Sequence, residues 1–176
     1  MFMRDRKTLW LVPTLIVVLS VIGLNTAAAA SAEQSIGSTA VVKGATSETV
    51  TLPNSILRIT LGQPGVASPN GYVEQYAKVD DIGTGIFSGF EATMSGDWEY
   101  NGTYAYTVGS VSHHVTNGGA TYCLWSSTNI YGNGAKNPAN MSWDGAGYCD
   151  TPTPANFYLY LYFWGSGTAK AAVSGP

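Results

Sequence analysis

From about residue 40 onward, apolar and polar residues alternate along much of the chain. No window there keeps the three-four apolar spacing of a helix over three turns without a glycine or proline cutting it. Alternation with a period of two marks a strand buried on one face, so the pattern predicts β structure. In 55–61, Leu57, Ile59 and Leu61 alternate with Arg58 and Thr60, and 46–52 lies across Pro53-Asn54, which predicts an early hairpin. A turn-rich link over 62–71 leads to a strand at 72–79 that Asp80-Asp81 is expected to close, and 86–93 continues the pattern. Trp98-Glu99-Tyr100 and 103–108 flank Asn101-Gly102, a dipeptide that accepts the positive φ angles of a tight type I′ turn. Segments 111–115 and 120–126, separated by 116–119, predict a further hairpin. Residues 127–154 are rich in glycine, asparagine and proline and read as a long surface loop. Segments 157–164 and 168–173 around Gly165-Ser166-Gly167 predict a closing hairpin. Eight or nine short strands with regular turns predict an all-β fold, an antiparallel β-sandwich or small barrel.

The first thirty residues follow a different pattern. Arg4, Arg6 and Lys7 precede an apolar run over 9–24, and a cluster of small residues, Ala27 to Ala30, Ser31 and Ala32, follows. That order predicts a secretory signal peptide cleaved near Ala30, with Ala32 as the other small-x-small option. The run contains Pro13 and falls short of the ~20 residues that a spanning helix needs, so no stable membrane insertion is expected after cleavage. The expected organisation is a signal peptide over 1–30, an N-terminal arm and first strand over 31–45, and a single β domain over 46–176.

Export changes the charge balance. Without residues 1–30, five basic residues face ten acidic ones, a net charge of −5. Such a chain has no basic stripe and repels phosphate backbones, which argues against nucleic acid as a partner. The only cysteines, Cys123 and Cys149, lie in the exported part, where an oxidising compartment lets them pair. A secreted or extracellular location, with the cell surface as a variant, is the expectation.

Chemistry is sparse. The segment 157–164 alternates so that Phe157, Leu159, Leu161 and Phe163 share one face, and Tyr158, Tyr160, Tyr162 and Trp164 the other. The second row offers hydroxyl and indole donors beside flat apolar rings, which suits stacking on sugars or anchoring an interface, whereas ordinary cross-strand packing is the plainer alternative. Trp125, Tyr131 and Trp143 in or near the expected loop are further candidates for the same surface. His113 and His114 are adjacent, so a strand points them to opposite faces and they cannot share one metal ion. Asp97 and Glu99 would share a face, within reach of a glycosidase acid pair, yet most such pairs are a solvated strand face. Asp80-Asp81 reads as turn chemistry. No nucleophile elbow, zinc-protease motif, phosphate loop or dinucleotide fingerprint is present, so neither cofactor nor metal is expected.

Gly96-Asp97-Trp98-Glu99-Tyr100, His113-His114, Ala120-Thr121, Ala146-Gly147 and Phe157-Tyr158 close to Trp164 occur in an order and spacing that resembles the lactococcin 972-type secreted bacteriocins. The resemblance covers residues 96–164. It implies a small exported β-sandwich that binds a cell-wall precursor of susceptible bacteria, and it carries over no catalytic residues. The segment 31–95, the cysteine pair and the acidic balance depart from that family's pattern.

These readings converge on a secreted, non-catalytic recognition protein that binds a cell-envelope or glycan ligand through aromatic residues. The first alternative is a structural subunit that self-associates when an arm near 35–42 adds as a strand to the next copy. The second is an exported glycoside hydrolase acting through Asp97 and Glu99.

Overall fold

The computed structural model describes residues 39–132 and 141–175, and ten strands account for most of these. They are β1 (Thr39–Lys43), β2 (Thr46–Thr51), β3 (Ser55–Leu61), β4 (Val73–Gly83), β5 (Glu91–Tyr100), β6 (Ala105–Thr116), β7 (Tyr122–Tyr131), β8 (Met141–Thr151), β9 (Ala155–Trp164) and β10 (Thr168–Ser174). A 3₁₀ turn, Gly85–Phe87, stands between β4 and β5 where the sequence pattern suggests continued strand. The expected signal peptide over 1–30 and the arm residues 31–38 lie outside the described residues.

The strands form two five-stranded antiparallel sheets, a back sheet in the order β2-β3-β4-β5-β6 and a front sheet in the order β1-β10-β9-β8-β7. The fold is therefore a β-sandwich. Every neighbouring pair except β1–β10 is also consecutive in sequence, so the chain meanders through the back sheet, crosses after β6 and returns through the front sheet. It then closes on itself, with β10 pairing β1 from Thr39↔Ala172 to Lys43↔Thr168. Thr39 to Val42, part of the arm expected to invade another copy, thus already has a partner in its own sheet, and Ala40 and Val42 are buried in the core.

Alternation decides which side chains fill the space between the sheets. Leu57, Ile59, Val79, Met94 and Trp98 enter it from the back, and Trp143, Phe157, Leu159, Leu161 and Phe163 from the front, all fully buried. Each such large side chain contributes roughly 1.5–3 kcal/mol by leaving water. Phe163 lies between two tryptophans, its centroid 4.6 Å from Trp98 and 4.5 Å from Trp143. The Trp143 indole Nε1 donates to Thr107 Oγ1 at 2.8 Å, and that hydroxyl donates to Met141 Sδ at 2.9 Å, so this buried donor is satisfied.

Several expectations are corrected. Most of 127–154 is not a surface loop but two long strands, with β7 and β8 paired from Tyr122↔Thr151 to Tyr131↔Ser142. Its glycines misled because they serve as empty slots rather than as turns. A Cβ on Gly145 would stand 2.4 Å from Trp125 Cζ2, and one on Gly147 would stand 2.1 Å from Phe157 Cζ, so neighbouring rings occupy the inward places these residues leave free. The short link 117–121 does not close a hairpin; it carries the chain from the back sheet to the front one. Asn101-Gly102 opens a four-residue connection in which Asn101 Oδ1 accepts from the backbone N–H of Thr103 and Tyr104 at 3.1 and 2.9 Å, with Gly102 at φ 89°, in place of a two-residue turn. Asp80 and Asp81 lie inside β4, not at its end. The hairpins β2–β3 and β9–β10 form as the alternation predicts, and Cys123 and Cys149, directly opposite each other in β7 and β8, are disulfide-bonded.

The Gly145 slot makes a direct test. Gly145→Ala forces its methyl into the Trp125 ring and is expected to cost about 1–3 kcal/mol, the usual range for overpacking. Trp125→Leu in the same chain should recover at least half of that loss. Urea denaturation of both single variants and the double variant measures the coupling; strictly additive losses would contradict the slot.

Candidate functional site

The front sheet turns one row of β9 outward. Tyr158, Tyr160, Tyr162 and Trp164 are each half-exposed, while Phe157, Leu159, Leu161 and Phe163 between them are fully buried. The tyrosine rings run nearly parallel, 8° between Tyr158 and Tyr160 and 13° between Tyr160 and Tyr162, at centroid separations of 6.3 and 6.1 Å. This is an offset stack. The row lies neither sealed beneath another layer nor wholly free, and it also covers its own sheet: Ala172 pairs with Tyr160 on the outward side and is fully buried there.

Register places polar groups on both flanks of the row. On β8, Ser142 and Asp144 stand opposite Tyr162 and Tyr160. On β10, Thr168 and Lys170 stand opposite Trp164 and Tyr162, and beyond them on β1 come Lys43 and Val41. Burial pushes the Asp144 carboxyl above its ordinary range, offset in part by the Ser142 hydroxyl, and the buried Asp144 Oδ1 has no hydrogen-bond partner. Burial first, then the Asp144 carboxylate and the next tyrosine in the row, raises the Tyr160 and Tyr162 hydroxyls, so both remain protonated donors. At the end of the row Trp164, Val41, Ser166, Thr168 and Lys170 line an open, mainly apolar groove of about 360 Å³.

The other candidates separate. Tyr131 joins this face at its β7 edge, opposite Ser142 in register and well exposed. Trp143 does not join it; it is fully buried in the core, because its place in β8 faces inward. Trp125 also faces inward, stacked on the His113 ring at 4.9 Å and 7° and set edge-on to Phe157 at 5.8 Å. Its Nε1 donates to Thr128 Oγ1 at 2.9 Å, and that hydroxyl lies 3.1 Å from His113 Nδ1. The expected surface of seven aromatics is therefore five: the loop-like composition hid the parity of Trp143 in β8, while Trp125, in an expected strand, faces inward opposite Gly147. Asp144, Lys170 and Val41 were missed at the sequence level. Alternation in 168–173 marks Lys170 as outward, but its place beside Tyr162 depends on register.

On the back sheet, Asp97 is exposed opposite Tyr76, while Glu99 is half-buried between Glu74 and Tyr106. Asp97 and Glu74, with Gln63, Gln75 and Tyr76, line an open polar groove of about 460 Å³; Glu99 does not line it. His113 and His114 point to opposite faces, as adjacent strand residues must, with His114 opposite Thr93. Asp80 accepts from Thr93 at 2.8 Å and pairs with Lys78 at 2.8 Å. Among the described residues, no three His, Cys, Asp or Glu side chains gather to hold a metal ion, and no helix is long and apolar enough to cross a membrane.

No protein-family model, curated protein or solved structure matches the chain.

Proposed function

We propose that the protein is an exported recognition module, without a catalytic role, that grips a cell-envelope glycan on the outer face of its front sheet. The observation that carries this reading is the row Tyr158, Tyr160, Tyr162 and Trp164, half-exposed and continuous with an open groove. Aromatic rings supply wide apolar contact at low entropic cost, and the neighbouring hydroxyls, carboxylate and ammonium can pair with sugar hydroxyls. Tyr162→Ala removes the ring between Ser142 and Lys170 and is expected to weaken capture of an envelope glycan at least tenfold, about 1.4 kcal/mol. Tyr76→Ala, which removes an exposed ring from the back sheet, should leave capture unchanged. Peptidoglycan pull-down and glycan-array titration of the three proteins measure this. Absence of binding to every envelope fraction, or equal losses in both variants, would remove the reading.

The resemblance to lactococcin 972-type bacteriocins makes an antibacterial outcome a special case of the same proposal. Growth inhibition of Gram-positive indicator strains tests it.

Self-association is a second reading, supported by the exposed Tyr122, Leu124, Ile130 and Tyr131 on β7, an edge strand of the front sheet. Electron microscopy of concentrated protein decides it, and a monodisperse monomer would count against it. The hydrolase reading has a groove to work in, with Asp97 and Glu74 in place of Asp97 and Glu99. Turnover on a polysaccharide panel, lost in a double alanine variant, is its requirement.

A further inference from the structure

Few cations remain on this acidic chain, and their placement is uneven. Among the described residues, Lys78 is paired with Asp80, and Arg58 stands opposite the same Asp80 in register. Among the described residues Arg58 forms no ion pair, and neither do Lys43 and Lys170, the two cations of the front sheet. Both belong to the outward face of the front sheet. Lys170 pairs with Val41 and Lys43 with Thr168, which makes the two lysines diagonal neighbours across β1 and β10. None of β1, β9 or β10 carries an acidic residue, and Asp144 lies on the far side of β9. Two of the three cations that form no ion pair among the described residues, Lys43 and Lys170, therefore lie together, and they adjoin the groove lined by Trp164 and Val41.

Lys170 is half-buried; for a long cationic side chain the usual compromise is a stem laid on apolar surface and an ammonium in water. An indole beside an unpaired ammonium asks two things of one ligand: a flat, largely apolar ring face, and a negative charge at the ring's edge. A neutral sugar meets only the first. A phosphodiester holds its charge away from the ring by a linking oxygen. A hexuronic acid carries its carboxylate on the pyranose itself and meets both.

Resting on the glycan-binding reading above and deepening it, we propose that the groove of Trp164, Val41, Thr168 and Lys170, with Lys43 beside it, is a subsite for a hexuronic acid residue. The ring packs on the Trp164 indole, and the carboxylate accepts from the Lys170 ammonium. Lys43 adds to the local field, an attraction that salt screens because neither lysine is sealed from solvent.

Polygalacturonate and its carboxyl-reduced, neutral form are the probes, since they differ in the carboxylate alone. Affinity electrophoresis and titration calorimetry should find the acidic polymer bound at least tenfold more tightly at low salt, with the ratio falling as salt rises. In Lys43→Met/Lys170→Met the ratio should fall to near one, whereas Arg58→Met, which removes a cation from the back sheet, should keep the wild-type ratio. Equal binding of the two polymers, or a preference that survives the double lysine variant, overturns the subsite and leaves the tyrosine row as a neutral glycan platform. Tighter binding of a phosphorylated dextran than of polygalacturonate overturns the choice of a carboxylate. Failure to bind either polymer while an envelope fraction is still captured defeats this inference alone; failure to bind any saccharide or envelope fraction defeats the glycan reading as well.

Discussion

Cys123→Ala/Cys149→Ala is expected to lower the stability of the folded protein by roughly 3.5 kcal/mol, the entropy of closing a loop across 26 positions in the unfolded chain. Both cysteines are fully buried and directly opposite in the β7–β8 register, so the variant also exchanges a filled position in the core for two small side chains. The consequence reaches the candidate site, because β8 holds Ser142 and Asp144 against the tyrosine row while β7 is the open edge of the front sheet. Urea denaturation of the oxidised wild type, the reduced wild type and the double variant measures the effect. Reduction that leaves the midpoint in place would show that the strand pair needs no covalent tie.

Asp81 provides the second large effect, and its sign runs against the usual behaviour of carboxylates. The side chain points into the core from β4, where burial pushes its carboxyl up to about 6 against an ordinary value of 3.8; the Ser55 hydroxyl offsets part of that rise. Neither carboxyl oxygen has a hydrogen-bond partner within bonding geometry. Below about pH 4 the group is protonated in both the folded and the unfolded chain, so its ionisation contributes nothing to the difference between them. Between the two values the unfolded chain releases the proton while the folded chain keeps it, so stability falls as pH rises. Above about 6 the folded chain must also ionise, and the loss levels off at about 3 kcal/mol. Asp144, raised in the same sense by burial, steepens the fall. The protein is therefore expected to be more stable at pH 4.5 than at pH 7.5. Asp81→Asn should stabilise it at pH 7.5 by about 2–3 kcal/mol and flatten the dependence without erasing it. Denaturation of both proteins at the two pH values is the test, and an identical pH dependence in the variant would refute the assignment.

Parts of the candidate face are legible in the sequence. The eight residues of 157–164 alternate without interruption, and a strand with one buried face has no other way to place Phe157, Leu159, Leu161 and Phe163 than inward, which leaves Tyr158, Tyr160, Tyr162 and Trp164 outward. The β9–β10 hairpin was equally plain, because Gly165-Ser166-Gly167 interrupts two β-prone runs and Gly167 supplies φ 79°. The opposite orientation of His113 and His114 follows from backbone geometry alone.

The remainder depended on neighbours distant in sequence. Gly145 and Gly147 look like loop residues in isolation; they are strand residues because Trp125 from β7 and Phe157 from β9 occupy the volume that side chains there would take. Trp143 reads as a surface candidate because that parity is invisible in the sequence, and Trp125 because alternation over 120–126 does not say which face of the strand is buried. Asp80 and Asp81 resemble a turn until Lys78, Thr93 and the register with Arg58 hold the first in the sheet, and the core encloses the second. The link 117–121 has hairpin chemistry, yet whether a strand pairs with its predecessor or crosses to another sheet is settled by where the apolar faces meet.

What the sequence determined by itself is local: strand, periodicity, the two faces of β9, and a cysteine pair able to bridge. Tertiary structure alone decided that β1 closes on β10, which sets Val41 and Lys43 beside Lys170 and Trp164 and so builds a groove from segments over a hundred residues apart. The physical reason is that alternation is a property of one strand's backbone, whereas register and sheet order are properties of the shared core, and no stretch of chain carries the shape of its partner.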